Sequence, residues 1–313
     1  MDIEKKVVET IEKYALISEG DKVVVALSGG KDSTSVLYIL KKLGYDVSGL
    51  LIDLKLGEWS EIHNRNMRAF CEELGVLLTI VDLKDELGQG ICFIKAVLKK
   101  QKGLTGCSVC GTVKRWILNK WAKKLGGDKL VTGHNLDDEA QNVLMNFLKG
   151  NLRLGIRAGP KTGFRGFGVS GVRDELAAGF VQRVKSSSEC QSLSVSEFES
   201  GEVAGFVQRV KPLFFVAESE IGKYALAKKF DILYDRCPCA FGTYRVETRG
   251  WMGCVSDEEK LKIVEGWQAK IGDFRGVSGF RGFGVSGELK VCGECGEPSS
   301  SELCSFCKIM ESV

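Results

Sequence analysis

No apolar run in the chain approaches the roughly 20 residues that a membrane-spanning helix requires. The opening residues, Met1-Asp2-Ile3-Glu4-Lys5-Lys6, contain no apolar h-region of the secretory type. Both observations point to a cytoplasmic protein with no membrane partner. Strong charge of either sign is also missing. A formal net charge of +3 is too small to argue a nucleic-acid partner. Clusters such as Lys99, Lys100 and Lys102, or Lys120, Lys123 and Lys124, read by themselves as solvated helix faces. The composition is that of a globular protein: 313 residues, 44% of them hydrophobic, suffice for one sizeable α/β domain with small appendages.

Cysteine, by contrast, is plentiful. Twelve cysteines in a cytoplasmic chain argue for metal or sulfur chemistry rather than disulfides. Cys71, Cys92, Cys190 and Cys254 have no partner by spacing and read as incidental or buried thiols. Cys107-Ser108-Val109-Cys110 precedes a helix containing Lys114 and Arg115. Three readings of it stand open: a redox pair, half of a zinc site, or part of an iron–sulfur site. Its candidate partners are Cys237 and Cys239, on either side of Pro238. Both together would close a four-thiolate site, and one alone would leave a metal position open. Cys292-Gly293-Glu294-Cys295 and Cys304-Ser305-Phe306-Cys307 lie eight residues apart. Four thiolates that close together reach tetrahedral geometry and fix a segment with no core of its own, so Cys292, Cys295, Cys304 and Cys307 are expected to bind zinc.

The most informative stretch is Val25-Ala26-Leu27-Ser28-Gly29-Gly30-Lys31-Asp32-Ser33-Thr34. A buried strand, Val23 to Leu27, runs into a tight turn, and a helix begins near Asp32 or Ser33. Glycines let backbone N–H groups approach an anion, the helix N-terminus adds partial positive charge, Lys31 a full one, and Ser28 and Ser33 hydroxyl donors. The turn reads as a phosphate cradle. It is not of the Walker type, because Asp32 follows Lys31 and the upstream glycine is absent.

The remaining periodicity alternates helices and strands. Helical spacing is seen at residues 1–18, 33–43, 61–74, 111–125 and 137–149, and strands at 46–54, 77–83 and 129–132. That pattern predicts an α/β fold, a parallel sheet with helices on both faces, whose ligands lie beyond the carboxyl ends of the strands. Ser28, Asp53 and Gly133 all fall there. Gly133-His134-Asn135-Leu136-Asp137-Asp138-Glu139 ends one strand and starts a helix. Its acids can cap that helix, and Asp137 or Asp138 can also hold magnesium or take a proton. Two segments recur: Gly163–Gly171 at Gly279–Gly287, and Ala178–Lys185 at Ala204–Lys211. They read as loop insertions, with the native strand in the second copy, Val207 to Phe215.

The loop resembles that of the PP-loop ATPases, and the Gly-His-Asn-x-Asp-Asp segment resembles the tRNA 2-thiolation branch of that superfamily. The C-terminal cysteines look like the zinc finger of the cytoplasmic tRNA 2-thiolation proteins. The resemblance covers 1–160 and 204–313. It implies an adenine nucleotide alpha-hydrolase-like domain over 1–272 with an insertion near 164–203, a flexible linker over 273–290 and a zinc finger over 291–313. It further implies ATP and Mg2+ at Ala26, Ser28, Gly29, Gly30, Lys31, Asp32, Ser33, Asp53, Lys114 and Gly133, with Lys31 and Asp137 as catalytic residues. Cys107, Cys110 and Cys237 would hold a 4Fe-4S cluster with one iron open; Cys239 departs from the family pattern. The implied activity is ATP-dependent 2-thiolation of a tRNA uridine, at the wobble position, through an adenylated intermediate. Sulfur would come from sulfide or a ubiquitin-like thiocarboxylate carrier, and a homodimer is compatible with the resemblance. Thiolation of a tRNA cytidine is the alternative within the superfamily. A zinc-only tRNA-adenylating or tRNA-binding protein without sulfur transfer is the alternative outside it.

Overall fold

Strand β1 (Lys22–Leu27) belongs at the centre of a sheet, because Val23, Val25 and Leu27 face one side, Val24 the other, and all are buried. In the computed structural model, β2 (Asp46–Asp53) and β4 (Lys129–Thr132) flank it, both parallel to it. Outside them lie β3 (Leu78–Asp82) and β6 (Gln208–Val210), also parallel. A two-residue strand, β5 (Lys161–Thr162), runs antiparallel along β6 at the far edge, giving the order β3-β2-β1-β4-β6-β5. The structure describes residues 2–102, 106–150, 159–162, 207–232, 237, 244–276, 290–299, 301–311 and 313.

Helices cover both faces, as the alternation predicts. On one side α1 (Ile3–Tyr14), α2 (Lys31–Lys42), α3 (Glu58–Glu73) and α8 (Glu218–Ala227) close over Val23, Val25 and Leu27. On the other, α4 (Leu83–Leu87), α5 (Ile91–Lys102) and α6 (Gly106–Lys124) pack on Val24, Leu50 and Leu130. A smaller apolar cluster joins α7 (Leu136–Leu148), α9 (Tyr244–Met252) and α10 (Asp257–Gly276) through Leu136, Ala140, Met252 and Val264. The C-terminal segment carries a two-stranded hairpin, β7 (Lys290–Val291) with β8 (Pro298–Ser299), and a short helix, α11 (Ser305–Met310).

That segment is docked on α6. The Phe306 ring stacks on Trp116 with centroids 3.8 Å apart and planes 8° from parallel. The Asn119 side chain, 1% exposed, donates to Glu297 and accepts from the backbone N–H of Val207 at 3.1 Å, joining the segment, α6 and the start of β6. Cys292, Cys304, Phe306 and Cys307 share one apolar cluster with Val109, Val113 and Ile117.

Two elements differ from the sequence expectation. Helix α6 starts at Gly106, not near 111, so the Cys107–Cys110 motif lies within its first turns rather than ahead of it. The buried spacing of Val109, Val113 and Ile117 explains the earlier start, because the apolar stripe already runs through the motif. The strand expected over 207–215 ends at Val210. Pro212 has no N–H for the ladder, and the N–H groups of Phe214 and Val216 turn back to donate to the carbonyls of Lys211 and Leu213. Of the segment read as a linker, 273–276 close α10 and 290 opens β7. Its remainder, the insertion near 164–203, Cys190 and Cys239 lie outside the described residues.

Candidate active site

Two loops meet where the strand order reverses, outside the carboxyl ends of β1 and β4. The first is Ser28-Gly29-Gly30. Gly29 is required twice over: its φ is +76°, and a Cβ there would lie 2.0 Å from Nδ1 of His63. Gly30 is the N-cap of α2, and no side chain caps that terminus. The first-turn amides of α2 are thereby left for an anion, with the helix dipole behind them. The Ser33 hydroxyl accepts from the Ser28 N–H at 3.1 Å, lies 3.2 Å from the Ser28 hydroxyl and donates to the Gly30 carbonyl at 3.1 Å. A triphosphate fits this open, preorganised terminus.

In the second loop, Asn135 caps α7: it accepts from the Asp138 N–H at 3.0 Å, and the Asp138 carboxylate accepts in return from the Asn135 N–H. The two neighbouring acids therefore part company. Asp138 completes the capping box, with Arg249 and Arg245 at 3.7 and 3.9 Å. Asp137 instead accepts from the Glu218 backbone N–H at 2.7 Å and from Lys260 Nζ at 2.6 Å. Glu218 in turn pairs with Lys31 at 2.7 Å. One polar chain thus runs Lys31, Glu218, Asp137, Lys260. Below it the buried Glu139 is matched by Lys211 at 2.7 Å.

The loops touch at Gly133. A Cβ on Gly133 would come 2.8 Å from the Ser33 backbone nitrogen and 3.0 Å from the Asp32 carbonyl carbon. Backbone cannot yield there, so Gly133→Ala is expected to push the β4 loop off α2. The expected cost is about 1–3 kcal/mol of stability, with ATP affinity lowered at least tenfold. Thermal melts and nucleotide titration measure the two effects, and unchanged affinity would separate the contact from binding.

Burial governs the electrostatics. It pushes the Asp32 carboxyl up to about 6, against the opposing Lys31 ammonium. Burial would lower Lys31 and Lys260, but the carboxylates around them outweigh it and hold both above the ordinary ammonium value. His134, bonded to the Thr132 hydroxyl at 2.9 Å, is held below the usual imidazole value by burial. An open cleft adjoins this network, lined by Asp137, Gln141, Glu218, Arg249, Met252 and Gly253.

The other candidates are distributed around the crevice. Ala26 pairs with Thr132 across β1 and β4. Asp53, at the end of β2, accepts from Asn64 at 2.9 Å and pairs with Lys55 at 3.1 Å, which also reaches Asp82 at 2.7 Å. Lys114 is half-buried on α6 and stands outside the Lys31 network. Cys107 and Cys110 sit three residues apart at the amino end of α6, and Cys110 and Cys237 are half-buried.

Among the described residues the C-terminal sulfurs form one close donor set: those of Cys292, Cys295, Cys304 and Cys307 all lie within 4.8 Å of one another. Burial alone would raise the Cys292 thiol, yet N–H groups of Cys304, Cys295 and Glu294 bring it down to about 6. Burial and the neighbouring sulfurs push Cys307 up. Four thiolates this close together could hold one metal ion.

Glu218 and Lys260 were invisible in sequence. They reach Lys31 and Asp137 across 187 and 123 residues, and each reads locally as an ordinary helix-surface charge. His63, which packs on Gly29, offered no motif either.

A family model described as a PP-loop domain matches residues 1–237. The chain is 32% identical to a tRNA-5-methyluridine(54) 2-sulfurtransferase of Pyrococcus horikoshii, over 97% of this chain and 83% of that protein. It is 30% identical to the tRNA 2-thiolation protein NcsA of Haloferax volcanii, over 93% and 82%. Among solved structures, the U34-tRNA thiolase NcsA of Methanococcus maripaludis, with its [4Fe-4S] cluster, superposes with a TM-score of 0.68. That match covers 99% of this chain and 87% of the other at 24% identity, and it speaks for the fold.

Proposed function

The chain belongs to the PP-loop domain family, and from that premise we propose that it is a tRNA sulfurtransferase that replaces the C2 oxygen of a uridine with sulfur at the expense of ATP. The observation that supports this most is the polar chain from Lys31 through Glu218 to Asp137, set where the uncapped α2 terminus meets the Gly133 loop. The uracil C2 oxygen attacks the α-phosphorus of ATP, releasing pyrophosphate and leaving adenylate on O2. Sulfide then adds at C2, and AMP departs with the oxygen. Lys31 and the α2 amides hold the β- and γ-phosphates through positioning and charge. Asp32 and Asp137 would supply hard oxygen donors of the kind Mg2+ takes. Asp137, oriented by Lys260, is placed to accept the proton of an incoming sulfhydryl.

Cys107, Cys110 and Cys237 are the thiolates we assign to a 4Fe-4S cluster. When bound, such a cluster supplies an open iron to which sulfide can attach. Sulfide itself or a thiocarboxylate carrier would be the donor. The tetrathiolate at the C-terminus is assigned to zinc, with no open position for chemistry.

The wobble uridine expected from sequence stands against position 54, the site named for the Pyrococcus relative. Mass spectrometry of tRNA nucleosides from a deletion strain, mapped by tRNA fragment, tests the proposal. Loss of a 2-thiouridine derivative is the expected result, and its fragment gives the position. Loss of 2-thiocytidine would overturn it in favour of cytidine. Unchanged thionucleosides, with AMP still formed on tRNA in vitro, would favour adenylation without sulfur transfer.

A further inference from the structure

Gln141 lies on α7 one turn beyond Asp137 and lines the same cleft. It is 2% exposed, and its amide cannot be turned over. Nε2 donates to the Arg245 backbone carbonyl at 2.7 Å, and because a carbonyl only accepts, Oε1 is fixed as the other end. The Arg245 guanidinium donates to Asn142 at 2.9 Å, so both parts of Arg245 hold this stretch of α7. Among the described residues, Oε1 of Gln141 is buried and has no hydrogen-bond partner. An orphaned oxygen of this kind is costly to keep buried. It belongs to a residue that lines the cleft beside the candidate catalytic acid, where a base drawn in can satisfy it.

We propose that Oε1 of Gln141 accepts the N3–H of a uracil base drawn into this cleft, and that this bond selects uridine over cytidine. The inference deepens the tRNA-uridine reading above and rests on it. Uracil carries a hydrogen on N3, whereas cytosine offers a bare lone pair at the same position. A fixed acceptor therefore satisfies one base and faces the other lone pair to lone pair. Discrimination of this kind is strong, because the wrong base leaves the buried oxygen unpaired. N3 is bonded to C2, so the contact holds the reacting carbonyl near Asp137 and near Glu218, which is 2.7 Å from Lys31. Met252 provides an apolar wall, and the half-exposed Arg249 is the cationic and movable one. The base must leave its stack to enter, as in other enzymes that act on a base.

Uridine, cytidine and N3-methyluridine 5′-monophosphates, titrated against the full chain without ATP and followed by ligand NMR, test this directly. The wild-type chain is expected to bind the uridine nucleotide at least tenfold more tightly than either of the others. Gln141→Leu and Gln141→Met remove the acceptor, the second with least change of shape, and should erase the difference in a chain that still folds with ATP affinity near wild type, although loss of the Nε2 bond to the Arg245 carbonyl lowers its melting temperature. A wild-type chain with no preference, including one that binds none of the three, overturns the inference, as does a folded variant that keeps the preference. The thionucleoside assay fails or succeeds separately, so loss of the uridine-thiolation reading is distinguishable from loss of this one.

Discussion

Lys31→Ala is expected to abolish formation of AMP and pyrophosphate, by on the order of a thousandfold, in a chain that still folds. Lys31 carries the only full positive charge of the turn, and its partners show what its removal leaves behind. Glu218 lies 2.7 Å from the ammonium and Asp32 3.4 Å, with Asp137 bonded to the Glu218 backbone. Without the lysine, a triphosphate would meet a ring of carboxylates at an otherwise suitable helix terminus. The fold should survive, because α2 is anchored by Val36, Leu37, Ile39 and Leu40, all fully buried. The companion change is Glu218→Gln. Nucleotide must displace Glu218 from Lys31 before the ammonium can turn to phosphate, so this variant is expected to bind ATP at least as tightly as wild type. Nucleotide titration and single-turnover AMP release read both effects. Normal AMP formation by folded Lys31→Ala would remove the phosphate cradle from the mechanism.

The contrast between Lys31 and Glu218 also marks what the sequence can reveal. The cradle was legible because strand, glycines, lysine and helix start are contiguous, and the local geometry they dictate survives in almost any context. The parallel sheet was legible for the same reason, since each strand carries its own apolar run between helical stretches. Gly133 was placed beside the nucleotide by motif alone, while the reason only glycine fits lies in the backbone of Ser33, 100 residues earlier in the chain. Glu218, Lys260 and Gln141 acquire their roles entirely from tertiary neighbours. Helix α5 and the early start of α6 are a different matter. Ile91, Ile94 and Leu98, then Val109, Val113 and Ile117, already show helical recurrence, and the second stripe runs straight through the cysteine motif.

The α6 start carries the second large expectation, that losing the two thiolate sites has unequal consequences. Cys237→Ser should remove iron and thiolation while zinc and the fold remain, because Cys237 follows α8 and takes no part in the C-terminal set. Cys304→Ser should remove zinc and then reach further. A structural zinc supplies on the order of 10 kcal/mol of ordering to a small segment. Here that segment holds Phe306 against Trp116 and Glu297 against Asn119, on the helix whose first turns bear Cys107 and Cys110. From Cys110 to Trp116 is six residues, roughly 9 Å of helix, so loosening of the dock is felt at the ligand turns. Iron should therefore fall along with zinc in Cys304→Ser, whereas zinc should persist in Cys237→Ser. Phe306→Ala isolates the mechanical link, because it leaves all four C-terminal thiolates in place. Truncating a buried phenylalanine costs about 3–5 kcal/mol, and that loss should appear as faster hydrogen exchange across 106–118 and reduced iron, with zinc still bound. Metal analysis of anaerobically purified chain, together with exchange over α6, distinguishes the cases. Full iron and unchanged α6 protection in both Cys304→Ser and Phe306→Ala would mean that the docked segment does not support the helix, and that the two metal centres act independently.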